Sequence, residues 1–163
     1  MRTTRLLLPF THGVNGCALE HAIRLAKSLD ATLVPLSLIR TSKEQQSKGV
    51  RPEYMQQSKD FLEMVRYKAI KYAVPVESLE VFTNDVVQSI EVLAQEMACE
   101  GILLFTSVEN GVLLHINEIK HLMERGAFKL YLIRLETKNK LHHQSPAAAL
   151  DRHRYSSRAS KQG

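Results

Sequence analysis

The chain has 163 residues, enough for one domain with a proper core and too few for two of ordinary size. Its apolar content of 44% and charged content of 24% are globular values, and no apolar run approaches the ~18 residues of a membrane span. The net charge of +5 lies entirely in the tail: residues 1–136 hold 16 basic and 16 acidic residues, and residues 137–163 hold six basic and one acidic, so basicity does not argue for a nucleic-acid-binding domain.

Arg5 to Phe10 is a short apolar run that reads as a first strand. Arg2 and Arg5 precede Leu6–Leu8, but Pro9, Thr11 and His12 follow at once, which is too short for a signal-peptide core. A cytoplasmic protein is the expectation. Thr11-His-Gly-Val-Asn-Gly16 is a turn-rich loop. Cys17 to Leu29 has Ala18, Ala22, Leu25, Ala26 and Leu29 at helical spacing, widened by Leu19 and Ile23 as for a helix packed on a sheet. Cys17 and Cys99 lie far apart and form no CxxC pair, so neither a zinc site nor a disulfide framework is implied. Both sit in apolar helical surroundings and are expected to be buried thiols.

Ala31 to Ile39 is the second strand. Pro35 cannot donate to a ladder and predicts a bulge or an edge position there. Arg40 to Pro52 is polar and reads as a flexible loop. Glu53 to Ala73 is a second helix with Phe61, Leu62, Val65, Ala69 and Tyr72 inward, ended at Val74-Pro. Glu77 to Thr83 alternates with period two, as a strand near an edge does. Asn84 or Asp85 caps a third helix, Asp85 with Gln88 giving a capping-box pattern. Ile102 to Phe105 is a buried strand that opens into a polar loop, Thr106 to Gly111. Asn117 to Arg125 is a shorter helix, with Asn117 as its N-cap and Gly126 beyond its end. Phe128 to Leu135 is the last strand, apolar on both sides. From 137 onward the composition cannot bury much, and a basic, disordered tail is expected. The strand–helix alternation predicts an α/β domain over residues 1–136, with a five-stranded parallel sheet sandwiched by helices.

Leu7-Leu-Pro9, Ala18-Leu-Glu-His-Ala22 and Leu25-Ala-Lys-Ser-Leu-Asp-Ala31, with Ile90, Leu93, Ala94 and Ile102–Phe105, resemble the universal stress protein family over about residues 3–136. The resemblance implies a flavodoxin-like, adenine-nucleotide α-hydrolase-like three-layer fold and a regulatory or stress-response role. It also implies dimerisation through the last strand, here 128–135. Nucleotide-binding members carry an Asp two residues after the first-strand Pro and a series G-x2-G-x9-G-[S/T] after the fourth strand. Here Thr11 replaces the Asp, Phe105 or Thr106 stands at the first glycine, and only Gly111 remains, with no Gly-Ser or Gly-Thr after it. Glycines let backbone amides close around phosphates. Their absence implies a divergent member that has lost ATP binding, with weak ATP or AMP binding as the alternative. If a pocket exists, the resemblance and strand ends point to Pro9, Thr11, His12, Gly13, Leu38, Thr106, Ser107 and Gly111 as its lining, Leu38 standing where the family sets an apolar residue against adenine.

No catalytic or metal-binding motif is present: no HExxH, no paired carboxylates, no GxSxG, and no ligand spacing among His21, His115 and His121. The nucleotidylyltransferase motif H/T-x-G-H fails at Asn15-Gly16-Cys17, which lacks the closing His. His12 is the one loop histidine placed for phosphate contact or proton transfer. The basic tail has only Tyr155 as an aromatic and lacks the stacking residues of a single-strand binder. A non-catalytic module without cofactor, metal, membrane or nucleic-acid partner is the resulting expectation.

Overall fold

The computed structural model describes residues 3–41 and 49–136. The elements run β1 (Arg5–Phe10), α1 (Gly16–Ser28), β2 (Thr32–Arg40), α2 (Pro52–Tyr72), β3 (Leu79–Thr83), α3 (Val86–Glu96), β4 (Gly101–Ser107), β5 (Asn110–Val112), α4 (Ile116–Arg125) and β6 (Leu130–Leu135). The sequence-predicted tail, 137–163, and most of the polar loop after β2 lie outside the described residues.

Helical connections between successive strands impose parallel pairing. The parallel strands stand in the order β3-β2-β1-β4-β6. β1 lies beside β2 from Arg5↔Thr32 to Phe10↔Ser37, and β4 beside β6 from Ile102↔Leu130 to Ser107↔Leu135. Strand side chains alternate, so one strand feeds two cores. Leu6, Leu8 and Phe10 pack with α1 and α2 against Leu19, Ile23, Phe61 and Val65. Leu7 turns to the other face and joins Val34, Leu36, Ile90 and Ile119 beneath α3 and α4. Phe10 and Phe61 stack with centroids 4.2 Å apart, which adds ~0.5–1.5 kcal/mol beyond their burial.

Five findings differ from the sequence-based expectation. First, the sheet has a sixth strand: β5 pairs antiparallel to the end of β4 as a short hairpin. Second, β2 is neither at an edge nor bulged at Pro35. It lies between β1 and β3, and its pairing with β3 is interrupted there instead. Leu33 exchanges hydrogen bonds with Pro75 and Glu77, and the β3 ladder resumes only at Leu36↔Leu79. Pro35 thus sits where no donor is called for. Third, α4 is capped at His115 rather than Asn117, the His115 N–H donating to Glu118 at 3.2 Å. Asn117 lies one residue inside the helix start. Fourth, the helix after the first loop begins at Gly16, so Cys17 falls in its first turn, on the exposed side. Fifth, the second helix starts on Pro52, whose missing N–H costs nothing at that position. Cys99 is buried, and burial pushes its thiol up to about 11. Asp85 caps α3 through the Gln88 amide, and Gly126 ends α4 in the left-handed conformation, both as the sequence predicts.

Strand order reverses between β1 and β4. In open parallel sheets the crevice at the carboxyl ends of two such strands is the usual ligand site. Pro9 lies beside it, two residues past Leu7↔Ile102, the last β1–β4 pair.

Candidate functional site

The reversal crevice is occupied by the protein's own chain. Where the β1–β4 ladder stops, the β4–β5 hairpin takes over, pairing Phe105↔Val112, Thr106↔Gly111 and Ser107↔Asn110. The chain then passes beneath the first loop. The Leu113 carbonyl accepts the Thr11 amide at 2.8 Å, the His12 amide at 3.3 Å and the Thr11 hydroxyl at 3.3 Å. Leu113 and Leu114 are buried. Gly111 makes this passage possible: a Cβ there would lie 2.2 Å from the Leu114 carbonyl oxygen and 2.7 Å from the Ile116 nitrogen. Its glycine serves close packing of backbone on backbone.

The closure carries local strain. Val108, the first central residue of the hairpin turn, has φ 56°, and Leu113 has φ 72°. Left-handed backbone costs a residue with a Cβ about 1–2 kcal/mol, and more discomfort attaches to a β-branched one. Such residues persist where their surroundings over-determine them, as three hydrogen bonds do for the Leu113 carbonyl.

Beside this closed end, a cavity of about 280 Å³ opens at the end of β2. Ser37, Leu38, Ile39 and Arg40 form one side, Thr11 and His12 come from the first loop, Tyr54 from α2, and His115 from the cap of α4. Ser37 is 1% exposed, and its hydroxyl has no hydrogen-bond partner among the described residues. An orphaned buried hydroxyl costs about 1–3 kcal/mol.

His12 and His115 stack with ring centroids 4.0 Å apart. Arg40 Nη2 donates to Glu118 Oε2 at 2.6 Å. Burial lowers the His12 pKa below the ordinary imidazole value, helped by the nearby His115 and Arg40 and opposed by Glu118. Thr11 Oγ1 lies 2.8 Å from His12 Nδ1 while also reaching the Leu113 carbonyl. One hydroxyl proton serves both contacts only if it points to Leu113 and His12 Nδ1–H donates to the oxygen. Neutral His12 then presents Nε2 as an acceptor.

Of the sequence-predicted lining, the structure brings Thr11, His12 and Leu38 together at this cavity. Pro9, Gly13, Thr106, Ser107 and Gly111 are not in its wall: Pro9 is within β1, Thr106, Ser107 and Gly111 build the hairpin, and the Gly13 amide donates to Gln57 Oε1 at 3.0 Å. Sequence reasoning missed Ser37, Ile39, Arg40, Tyr54 and His115. Ser37, Ile39 and Arg40 had a signal, being neighbours of Leu38 at a strand's carboxyl end. Tyr54 and His115 had none, since tertiary packing alone carries them there. Among the described residues, no group of three or more His, Cys, Asp or Glu is placed to hold a metal, and no helix is long and apolar enough to cross a membrane.

No family model and no curated protein matches the chain. Solved structures do match. A protein of the universal stress protein family from Burkholderia pseudomallei is 18% identical over 80% of this chain and 95% of its own, with TM-score 0.62. A universal stress protein from Archaeoglobus fulgidus in complex with dAMP is 10% identical over 81% and 98%, with TM-score 0.62. A universal stress protein family protein from Arabidopsis thaliana with AMP bound is 13% identical over 89% and 99%, with TM-score 0.53. The fold is therefore that of the universal stress proteins.

Proposed function

We propose that this chain is a divergent universal-stress-protein-like regulatory module. It acts in the cytoplasm without catalysis, through dimerisation or protein contacts, and it has lost ATP binding. One observation carries the reading: the hairpin fills the strand-reversal crevice, where open parallel sheets ordinarily receive a ligand. The amides of Thr11, His12 and Gly13 in the first loop and of His115 at the start of α4 each already have an acceptor. A phosphate would find none of them free to cradle it.

Calorimetric titration with ATP, with and without magnesium, tests this. No saturable heat is expected, and micromolar binding contradicts the reading. ATP consumption that disappears in His12→Ala would contradict the non-catalytic part.

The dimer reading rests on β6, which among the described residues pairs only with β4 and so stands at the sheet's edge. Lys129 turns its carbonyl toward β4, so by alternation the backbone groups of Leu130 and Leu132 face the other side of β6. An unpaired edge is a ready surface for a second copy. Sedimentation equilibrium is expected to show a dimer, and Leu132→Pro, which removes one edge donor, to weaken it. A monomeric wild type contradicts this part.

A second reading is weak ATP or AMP binding. It is favoured by the cavity at the end of β2, which stays open, and by similar folds solved with dAMP and AMP. The same titration separates the two.

A further inference from the structure

At its other end the sheet stops at β3, which pairs only with β2 among the described residues. The Thr83 carbonyl accepts the Thr41 amide, and the Glu77 amide donates to the Leu33 carbonyl. By alternation in a parallel ladder, Leu79, Val81 and Thr83 turn their backbone groups to β2, and Glu80 and Phe82 turn theirs outward. The N–H and C=O of both residues are therefore open to a further strand. Side chains alternate between the two faces of the sheet. Leu79 and Val81 pack with the core beneath α3, whereas Glu80 lies on the α2 side, where its carboxylate accepts the Ser58 hydroxyl at 2.5 Å. Phe82 shares that face and is 53% exposed.

The α2 helix leaves this face uncovered because its apolar stripe points elsewhere. Phe61, Val65 and Ala69 bury into the core with Leu8, Phe10 and Leu33, over β1 and β2. The flank of α2 toward β3, with Met55, Lys59, Leu62, Glu63 and Arg66, instead walls an open groove of about 720 Å³, with Glu80 on its other side. From Met55 to Arg66 the helix rises about 16 Å, the length of about five strand residues, and β3 has five. Lys59 and Arg66 have no ion-pair partner among the described residues. Glu63 offsets one of them, so the helical wall keeps a net positive sign, and the Glu80 carboxylate opposite is held by Ser58.

We infer that this groove is a docking site for an extended peptide segment of a partner protein, which adds as a strand beside β3 and sets apolar and acidic side chains against α2. The open backbone of Glu80 and Phe82 calls for main-chain partners, which a strand supplies. Met55, Leu62 and Phe82 receive its apolar side chains. The Arg66 guanidinium receives a carboxylate in a two-pronged pair, and Lys59 adds to the attraction. The chain's own segment 137–163 has the wrong sign for this wall, with six basic residues and one acidic. A second copy would bring its own Lys59 and Arg66 to the same face of the joined sheet, like charge toward like. The inference rests on the reading that the chain acts through protein contacts, and it gives those contacts a place and a partner class. It is tested without nucleotide, so its failure leaves the loss of ATP binding standing.

The probe is an end-blocked, fluorescently labelled peptide, Thr-Val-Thr-Leu-Thr-Glu-Thr-Leu-Thr, which presents Val, Leu, Glu and Leu on one face when extended. Its control carries Lys in place of Glu. Both are titrated with the full chain and followed by fluorescence anisotropy. Saturable binding of the Glu peptide is expected below about 100 μM, about tenfold tighter than the Lys peptide. Arg66→Glu, an exposed change on α2, is expected to reverse that preference, which a loss of folding would not do. Hydrogen exchange at the Glu80 and Phe82 amides is expected to slow when the Glu peptide binds. No saturable binding of the Glu peptide up to millimolar concentration overturns the inference, as does equal affinity for the two peptides or unchanged exchange at Glu80 and Phe82. Self-association that persists in Leu132→Pro and disappears in Phe82→Pro would place a second copy on β3 and overturn it too.

Discussion

Two carboxyl ends of one sheet are treated in opposite ways. At β1 and β4 the strands part, and the protein fills the gap with β5 and the Leu113–Leu114 segment. At β1 and β2 the ladder continues to Phe10↔Ser37, yet the space above it stays open, with a buried hydroxyl left unpaired. The first place is where this architecture normally invites a ligand, and it is closed. The second is secondary, and among the described residues it is the one with a buried, unpartnered side-chain hydroxyl, Ser37 Oγ. The fold marks where a ligand could go, and the side chains and loop path decide which of those places is left open.

The closed end is expected to break most sharply at Gly111. Gly111→Ala drives a Cβ into the backbone of residues 114–116 and is expected to cost about 2–3 kcal/mol. Hydrogen exchange at the Thr11 and His12 amides should quicken with it, since both are tied to the Leu113 carbonyl. If the melting temperature and exchange are unchanged, the hairpin is not seated as described.

The contrast in charge between the two ends depends on Glu118, whose carboxylate binds Arg40 and the His115 amide. Glu118→Gln is expected to cost about 1 kcal/mol by thermal melt, and to raise AMP affinity by freeing Arg40. Unchanged AMP affinity would show that Arg40 is not the withheld cation.

A smaller effect of opposite sign is expected at the hairpin turn. Val108→Gly relieves a left-handed β-branched residue and is expected to stabilise by about 1 kcal/mol, less the added freedom of the unfolded chain. Denaturant midpoints measure it, and destabilisation would argue against strain there.

The smallest effect is the pH response of the open end. His12 has a lowered folded pKa, so the unfolded chain binds more protons in the window just below the ordinary imidazole value. The His12 contribution to stability is thus full above pH ~6.5 and is lost as the pH falls through the folded value. His12→Asn should flatten the stability profile in that window relative to wild type, and an unchanged slope would place His12 in solvent.

Much of the fold was legible because its signals are local. The apolar runs of β1, β2 and β4, the helical spacing from Ala18 to Leu29, the Asp85 cap and the Gly126 stop each follow from a few neighbouring residues. The hairpin was not legible, for a physical reason. Asn110-Gly111 looks like turn chemistry, yet the turn falls at Val108-Glu109, where no residue prefers it, and the dipeptide forms β5 itself. Tertiary hydrogen bonds to Leu113 override the local preference. Cys17 was misread because its apolar neighbours lie on the other side of the helix. At the cavity, Thr11, His12 and Leu38 were reachable by counting from strand ends. Tyr54 and His115 come from helix starts that only the folded chain brings to β2.

The account stands or falls on the closed crevice. The most direct measurement is a magnesium–ATP titration of the isotope-labelled chain, followed at the backbone amides of Thr11, His12 and Thr106 through His115. The account expects no saturable chemical-shift change at these amides and continued slow exchange of Thr11 and His12. Saturable shifts across Thr106–His115, with Thr11 and His12 released from Leu113, would show that the crevice opens to receive phosphate and would contradict it.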